Sequence, residues 1–458
     1  MSLGAIFGLV ALNLWLLAVG LAVLFGLRGW SDWVEVGRLL GLAYMAGVAS
    51  MGITWVYQLI LGIDLSIASI LVGGALIAAV GLVAGLRAGR RLPPRPAARR
   101  LSVRPSLASA SFAALGIVYL EAQFRAGRLA GLYEFDGWAF WVPKAKAIYY
   151  FGGLDHQFFH DLPGQSYPPL VPALEAAAFH FMGSPDEVTL HLQFWFLLLG
   201  FVAAVVGLLA GRVPPLLLWT PVLLVLVTPQ VVDHALQPQG DFLLDEFFAL
   251  AVVLFALWLR GERAASSLRL ATLLLAAAVL TKREGLALAA CALIAALLAT
   301  WREKRFAWPR LALVGLFTAL AIVPWRILLA VRDLGGGGPE AGGTGLLTNI
   351  DRAWPSFRLA VGTLFDFHVW LIVVPVLLLA TVVAIVSRDR QLAVYAVALT
   401  ALCVAAFTWS TWAFPSLPIT QNPALNPIVR FSGALVIAAG GLIPLLLSQT
   451  RETLDGPR

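Results

Sequence analysis

The sequence predicts an all-α, polytopic integral membrane protein. Of its 458 residues, 60% are hydrophobic and only 12% are charged, against about 25% charged in a soluble domain. Apolar runs of roughly 20 residues recur from end to end, each long enough to cross a bilayer as a helix. The runs are continuous rather than alternating, which excludes a transmembrane β-barrel.

A window of about 19 residues divides the chain into about 13 spans. They fall at 3–27, 37–61, 65–86, 106–122, 188–210, 214–231, 241–259, 268–281, 285–301, 308–330, 361–386, 391–410 and 430–449. The pair 268–281 and 285–301 is short, and one long kinked element is the alternative there. The first run lacks a basic leader and a small-residue cleavage site, so it reads as a spanning helix rather than a signal peptide. Cys291 and Cys403 both fall inside apolar runs and read as small core residues, not as a disulfide or metal pair.

Orientation follows from lysine and arginine. The stretch 88–105, next to Arg87, carries Arg90, Arg91, Arg95, Arg99, Arg100 and Arg104 with no acid, which places it in the cytoplasm. Alternation then puts the N-terminus outside and the C-terminus inside. All 6 histidines and most carboxylates fall on the outer side. The pI near 9.7 is thereby explained by topology and anionic lipid headgroups, without nucleic acid. Four parts follow: a three-helix membrane unit at 1–87, a stiff proline-containing linker at 88–105, a membrane body at 106–450 and a cytoplasmic tail at 451–458.

The expected inner loops are short and basic. The outer ones are long, at about 123–187, 331–360 and 411–429, and loops of that length usually carry function. The stretch Ala139–Tyr150 holds Phe140, Trp141, Tyr149, Tyr150, Lys144 and Lys146, a composition suited to a helix lying in the outer interface. Gly335-Gly336-Gly337-Gly338-Pro339 reads as a hinge and a lid candidate. It is no phosphate loop, because no strand precedes it and no Lys-Ser/Thr follows.

Chemistry concentrates in five places. Glu134 and Asp136 follow the fourth span, and a carboxylate there can deprotonate an acceptor hydroxyl. Tyr167-Pro168-Pro169-Leu170 is held extended by its prolines. Asp233, His234 and Asp241, with Asp245 and Glu246 one turn inside the seventh span, form an acidic group. Ionisable residues at that depth default to function or pairing, and Asp233, His234 and Asp241 could hold a divalent cation. Lys282, Arg283 and Glu284 lie between two short runs on the outer side, where the cations suit an anionic ligand or, in a tight turn, pair with Asp241, Asp245 or Glu246. Arg430 stands at the mouth of the last span as a second phosphate ligand, while Arg326 and Arg332 read as outer-end arginines of the tenth.

In their order and sidedness these features resemble the glycosyltransferase C superfamily. Within it they are similar to the branch of dolichyl-phosphate-mannose protein mannosyltransferases and bacterial lipid A aminoarabinose transferases. That branch has a helix, then a long outer loop with an Asp near its start, similar to span 106–122 and Asp136. Pro168-Pro169-Leu170 and the acidic stretch Asp233 to Asp241 resemble its later elements. The resemblance covers about 106–450. It leaves out the N-terminal three-helix unit, Tyr167 stands where the protein mannosyltransferases have His, and no soluble luminal domain is present.

The resemblance implies an inverting glycosyltransferase that moves a hexosyl or pentosyl group from a polyprenyl-phosphate donor to a glycan, lipid or protein acceptor on the outer face of the plasma or inner membrane. Asp136, with Glu134 beside it, would be catalytic. Lys282, Arg283 and Arg430 would bind the donor phosphate. Tyr167, Asp233, His234, Asp241 and Glu284 would contact substrate. A polymerase or O-antigen ligase using a diphosphate-linked glycan is one alternative, and a secondary transporter is another.

Overall fold

A computed structural model describes residues 2–93, 107–129, 131–262, 264–334, 349–387, 389–414, 416–422 and 426–454. The expected hinge at Gly335–Pro339 and most of the arginine-rich linker lie outside the described residues. Among those described, all regular elements are helical, as the continuous apolar runs require.

Four helices form the N-terminal unit: α1 (Leu3–Leu27), α2 (Trp33–Arg38), α3 (Leu40–Ile60) and α4 (Ile67–Arg87). Ser2 caps α1 through Ala5 N, and Ser66 and Ser69 form a reciprocal capping box on α4, satisfying amide groups that the first turn leaves free. Helices α1 and α3 cross at glycines. A Cβ at Gly20 would stand 1.8 Å from Ala43 O, and one at Gly47 would stand 2.0 Å from Leu16 O. Only small residues permit backbones to approach so closely.

The body follows as α5 (Leu107–Gly127), a π-helical turn Gly137–Trp141 leading into α6 (Val142–Phe151), α7 (His156–Asp161), α8 (Leu170–Met182) and α9 (Glu187–Leu209). Next come α10 (Pro215–Leu226), α11 (Pro229–His234), α12 (Gly240–Leu257), α13 (Ala265–Thr281), α14 (Glu284–Ala299) and α15 (Lys304–Val331). The chain closes with α16 (Ile350–Leu364), α17 (Phe367–Trp370), α18 (Val373–Val386), α19 (Arg390–Ala413), α20 (Pro427–Phe431) and α21 (Gly433–Leu454).

Among the described residues, eight helices are long and apolar enough to cross a membrane, and five shorter apolar helices accompany them. This is a polytopic membrane architecture. It refines the expected spans in several places. The run 214–231 breaks at Thr228-Pro229 into α10 and α11, and the run 361–386 breaks at Leu371, whose φ is +50°. Proline without an amide hydrogen and a left-handed residue each interrupt the helical ladder. The pair near 268–301 is two helices, because Lys282 is extended and α14 packs back on α13.

Helix α12 is the axis of the body, buried along its whole length between α13 and α21. The N-terminal unit is not peripheral to it. Helix α3 packs against α8, α9 and α13, and α1 packs against α8. A buried polar clasp marks this junction. Asn13 and Gln193 exchange side-chain hydrogen bonds of 2.9 and 3.1 Å, and Tyr44 Oη donates to Asn13 Oδ1 at 2.5 Å.

A charged candidate site between two chambers

The site begins with how each charge is presented. Asp136 precedes the π-helical turn, whose Trp141 is fully buried against Gly240 at the start of α12. That contact brings Asp136 towards Asp241, in the first turn of α12. Arg430 lies on the five-residue α20, whose Asn426 cap accepts from Ile428 N at 3.0 Å and donates to Thr363 Oγ1 at 2.8 Å. Behind it, Trp370 Nε1 donates to Ser432 Oγ at 2.9 Å. Gly433 allows α21 to start directly on Asp245, since a Cβ there would sit 2.3 Å from Asp245 Oδ2.

The charges then alternate. Arg430 Nη2 donates to both Asp136 Oδ2 and Asp241 Oδ2. Lys282 Nζ donates to Asp241 Oδ1 at 2.6 Å, and Glu284 Oε1 lies 3.7 Å beyond it. Burial alone would lower Lys282, but Asp241 and then Glu284 overcome it and hold the ammonium above the usual lysine range. Aromatic faces complete the surroundings. The Arg283 guanidinium stands 4.7 Å from the Tyr167 ring centre, and Lys282 lies 5.7 Å from Tyr167 and 5.6 Å from Phe431. These are cation–π distances. The Tyr167 ring also stacks on Phe140 at 5.8 Å and 10°.

This row of charges separates two chambers. One, of about 420 Å³, is lined mainly by apolar residues of α14 and α19, with Arg326 of α15 at its wall. The second, of about 280 Å³, contains Asp136, Phe140 and Ser166. Both are bounded by Tyr167, Lys282, Arg283, Glu284, Arg430 and Phe431. An apolar compartment that ends in cations and adjoins a smaller one holding Asp136 has the shape and charge to take an amphiphile with an anionic head.

Of the residues expected from sequence, Asp136, Tyr167, Asp241, Lys282, Arg283, Glu284 and Arg430 meet here. Glu134, Asp233 and His234 line neither chamber. Asp233 is exposed, and its carbonyl accepts from Tyr133 Oη at 2.9 Å. His234 Nδ1 is bonded to Gln239 Nε2 at 2.7 Å, and burial lowers its basicity. The expected divalent-cation set is therefore corrected. Among the described residues no three His, Cys, Asp or Glu groups converge, and both oxygens of Asp241 are taken by Arg430 and Lys282.

The stretch around Ala139–Tyr150 is helical, with one face packed into the body and Tyr150 exposed at its end. Trp141, Val142, Lys144, Ala145 and Ile148 are buried, and Lys146 pairs with Glu187. Lys144 was not recognisable as part of the site from sequence. Its Nζ donates to Gly164 O at 2.6 Å, and Phe140 and Phe159 lie 5.3 and 5.9 Å away. Burial, with Arg283 adding repulsion, brings its pKa down to about 7. Gly164 O also accepts from Tyr167 N at 3.1 Å, and Ser166 O accepts from Trp325 Nε1 at 3.2 Å. Lys144 thus pins the turn that presents Tyr167 to Arg283. The sequence signal was a lysine within an aromatic run, which does not distinguish a buried amine from a surface one.

Fold and site together define a polytopic helical membrane protein with a partly buried ion network between a larger apolar chamber and a smaller one that holds Asp136. Comparison of the chain with known families, with characterised proteins and with solved structures returned no match.

Proposed function

We propose that the protein is a membrane glycosyltransferase that moves a sugar from a polyprenyl-phosphate donor to an acceptor on the outer face of the membrane. The observation that supports this most is the position of Arg430 and Lys282 at the common boundary of the two chambers, with Asp136 in the smaller one. The prenyl chain occupies the apolar chamber, and its phosphate meets Arg430, Lys282 and Arg283. Arginine grips phosphate through its fork and lysine as a point charge.

In this reading the phosphate competes with Asp136 for Arg430. The carboxylate released takes the proton of an acceptor hydroxyl. The acceptor oxygen bonds to the anomeric carbon from the face opposite the phosphate, and the bond from that carbon to the phosphate oxygen breaks. Its electron pair leaves on the lipid phosphate, where the cations stabilise the developing charge. Configuration inverts. The phosphate is a good leaving group, so a single carboxylate suffices, unlike the pair that glycoside hydrolysis requires.

The test uses purified protein in lipid nanodiscs with a panel of radiolabelled polyprenyl-phosphate sugars. Turnover by wild type and binding without turnover by Asp136→Asn is the expected outcome. Binding of a diphosphate-linked glycan and of no monophosphate donor would replace this reading with a polymerase or ligase.

A proton-coupled transporter is the second reading. Glu175 and Glu246 favour it, since both are fully buried and neither carboxyl has a hydrogen-bond partner among the described residues. Such groups inside a membrane bundle commonly belong to proton relays. Proton flux in proteoliposomes without sugar transfer would select this reading.

A further inference from the structure

Glu284 is the carboxylate on the boundary that the ion network holds only through a long contact to Lys282. It occupies the first turn of α14 and borders both chambers. Its side chain is 25% exposed. Oε1 stands 3.7 Å from Lys282 Nζ, beyond hydrogen-bond length, and Oε2 is buried with no partner among the described residues. Asp241, by contrast, has both oxygens satisfied. Glu284 lines both chambers with the exposed part of its side chain, so a ligand in either chamber can offer it a donor. Carboxylates accept hydrogen bonds only, so the ligand atom facing Glu284 must carry a hydrogen.

Position then narrows the ligand. With the phosphate at Lys282 and Arg430, the group attached to it projects across the boundary towards Asp136, and Glu284 flanks that path. We infer that Glu284 is a specificity-determining residue that accepts a hydrogen bond from a hydroxyl of the donor sugar. The inference rests on the polyprenyl-phosphate reading above. It assigns Glu284 to the sugar and not to the phosphate, which a carboxylate would repel.

The experiment compares binding of a long-chain polyprenyl phosphate with and without an attached hexose, using the full-length protein in nanodiscs. Wild type is expected to prefer the sugar-bearing lipid by about 10- to 100-fold, the range for a hydrogen bond to a charged group. Glu284→Ala is expected to bind the two lipids equally, and to bind the bare lipid phosphate at least as tightly as wild type. Glu284→Gln, which keeps the side-chain shape and the helix start, is expected to lose most of the preference. A monodeoxy series of the hexose identifies the hydroxyl: one analogue should be bound equally by wild type and Glu284→Ala. Retention of the full sugar preference in both variants overturns the assignment while leaving the donor class standing. Failure of wild type to bind either lipid overturns the donor reading itself, and the assignment with it.

Discussion

Arg430 and Asp136 are joined side chain to side chain across 294 positions of sequence, and the same guanidinium nitrogen reaches Asp241. One arginine therefore links the first large loop, the central helix α12 and the short α20. Removing it leaves two carboxylates facing each other without their shared cation. Arg430→Ala is expected to abolish turnover and weaken donor binding by at least 10-fold. Arg430→Lys should recover little, because a lysine cannot present the planar fork. Donor titration in nanodiscs checks both.

Asp136→Asn removes the proposed base and keeps the side-chain volume. Turnover is expected to fall by about 10²- to 10⁴-fold, the usual contribution of general base catalysis. Donor affinity should change far less, so the effect appears in kcat rather than KM. Normal turnover in a folded Asp136→Asn protein would remove the assignment.

The Lys282–Asp241 pair is almost fully buried, with side chains 3% and 10% exposed. Breaking such a pair from one side costs about 3–5 kcal/mol, whereas replacing both partners costs much less. Lys282→Met should lower the melting temperature more than the double variant Lys282→Met/Asp241→Leu lowers it per residue changed. Neither should bind donor. Thermal unfolding in detergent, followed by tryptophan fluorescence, reads the difference.

Lys144 gives stability a pH dependence. Its folded pKa is near 7 against an ordinary 10.5, so between those values the unfolded chain holds more protons than the folded one. Stability therefore rises with pH across that window, and the penalty for a charged, buried Lys144 is fully present below about 7. Lys144→Met should flatten this segment of the melting curve against pH. Lys144→Arg, charged throughout, should keep the protein at its low-pH stability. Equal slopes in wild type and Lys144→Met would show that Lys144 does not titrate there.

The Asn13–Gln193 clasp predicts how firmly the N-terminal unit is attached. Asn13→Leu alone strands the Gln193 amide in the bundle and is expected to cost about 1–3 kcal/mol. Adding Gln193→Leu removes the stranded amide but leaves the buried Tyr44 hydroxyl without both of its partners, so much of the loss should return only when Tyr44→Phe is added as well. A double-mutant cycle by thermal unfolding measures the coupling. Additive effects would mean that the two amides act independently.

Much of this protein was legible in one dimension. The apolar runs dictate helices, because a bilayer leaves every backbone amide to be satisfied within its own segment. Charges placed among such runs stand out, which is why Asp136, Asp241, Lys282, Arg283, Glu284 and Arg430 were identifiable as a set. Breaks at Pro229 and Leu371 were less visible, since hydropathy averages over a window wider than one interrupted turn.

What composition could not decide was which charge meets which. Asp233 stands close to Asp241 in sequence, yet α11 ends before α12 begins, and Asp233 turns outward while Asp241 turns into the bundle. The nearest cations to Asp241 come from 41 and 189 residues away. Whether Lys144 lies at a surface or beneath the Tyr167 turn, and whether an N-terminal unit of apolar helices packs into the body, are likewise questions of burial. Burial depends on the packing of distant segments, and only the tertiary structure supplies those neighbours.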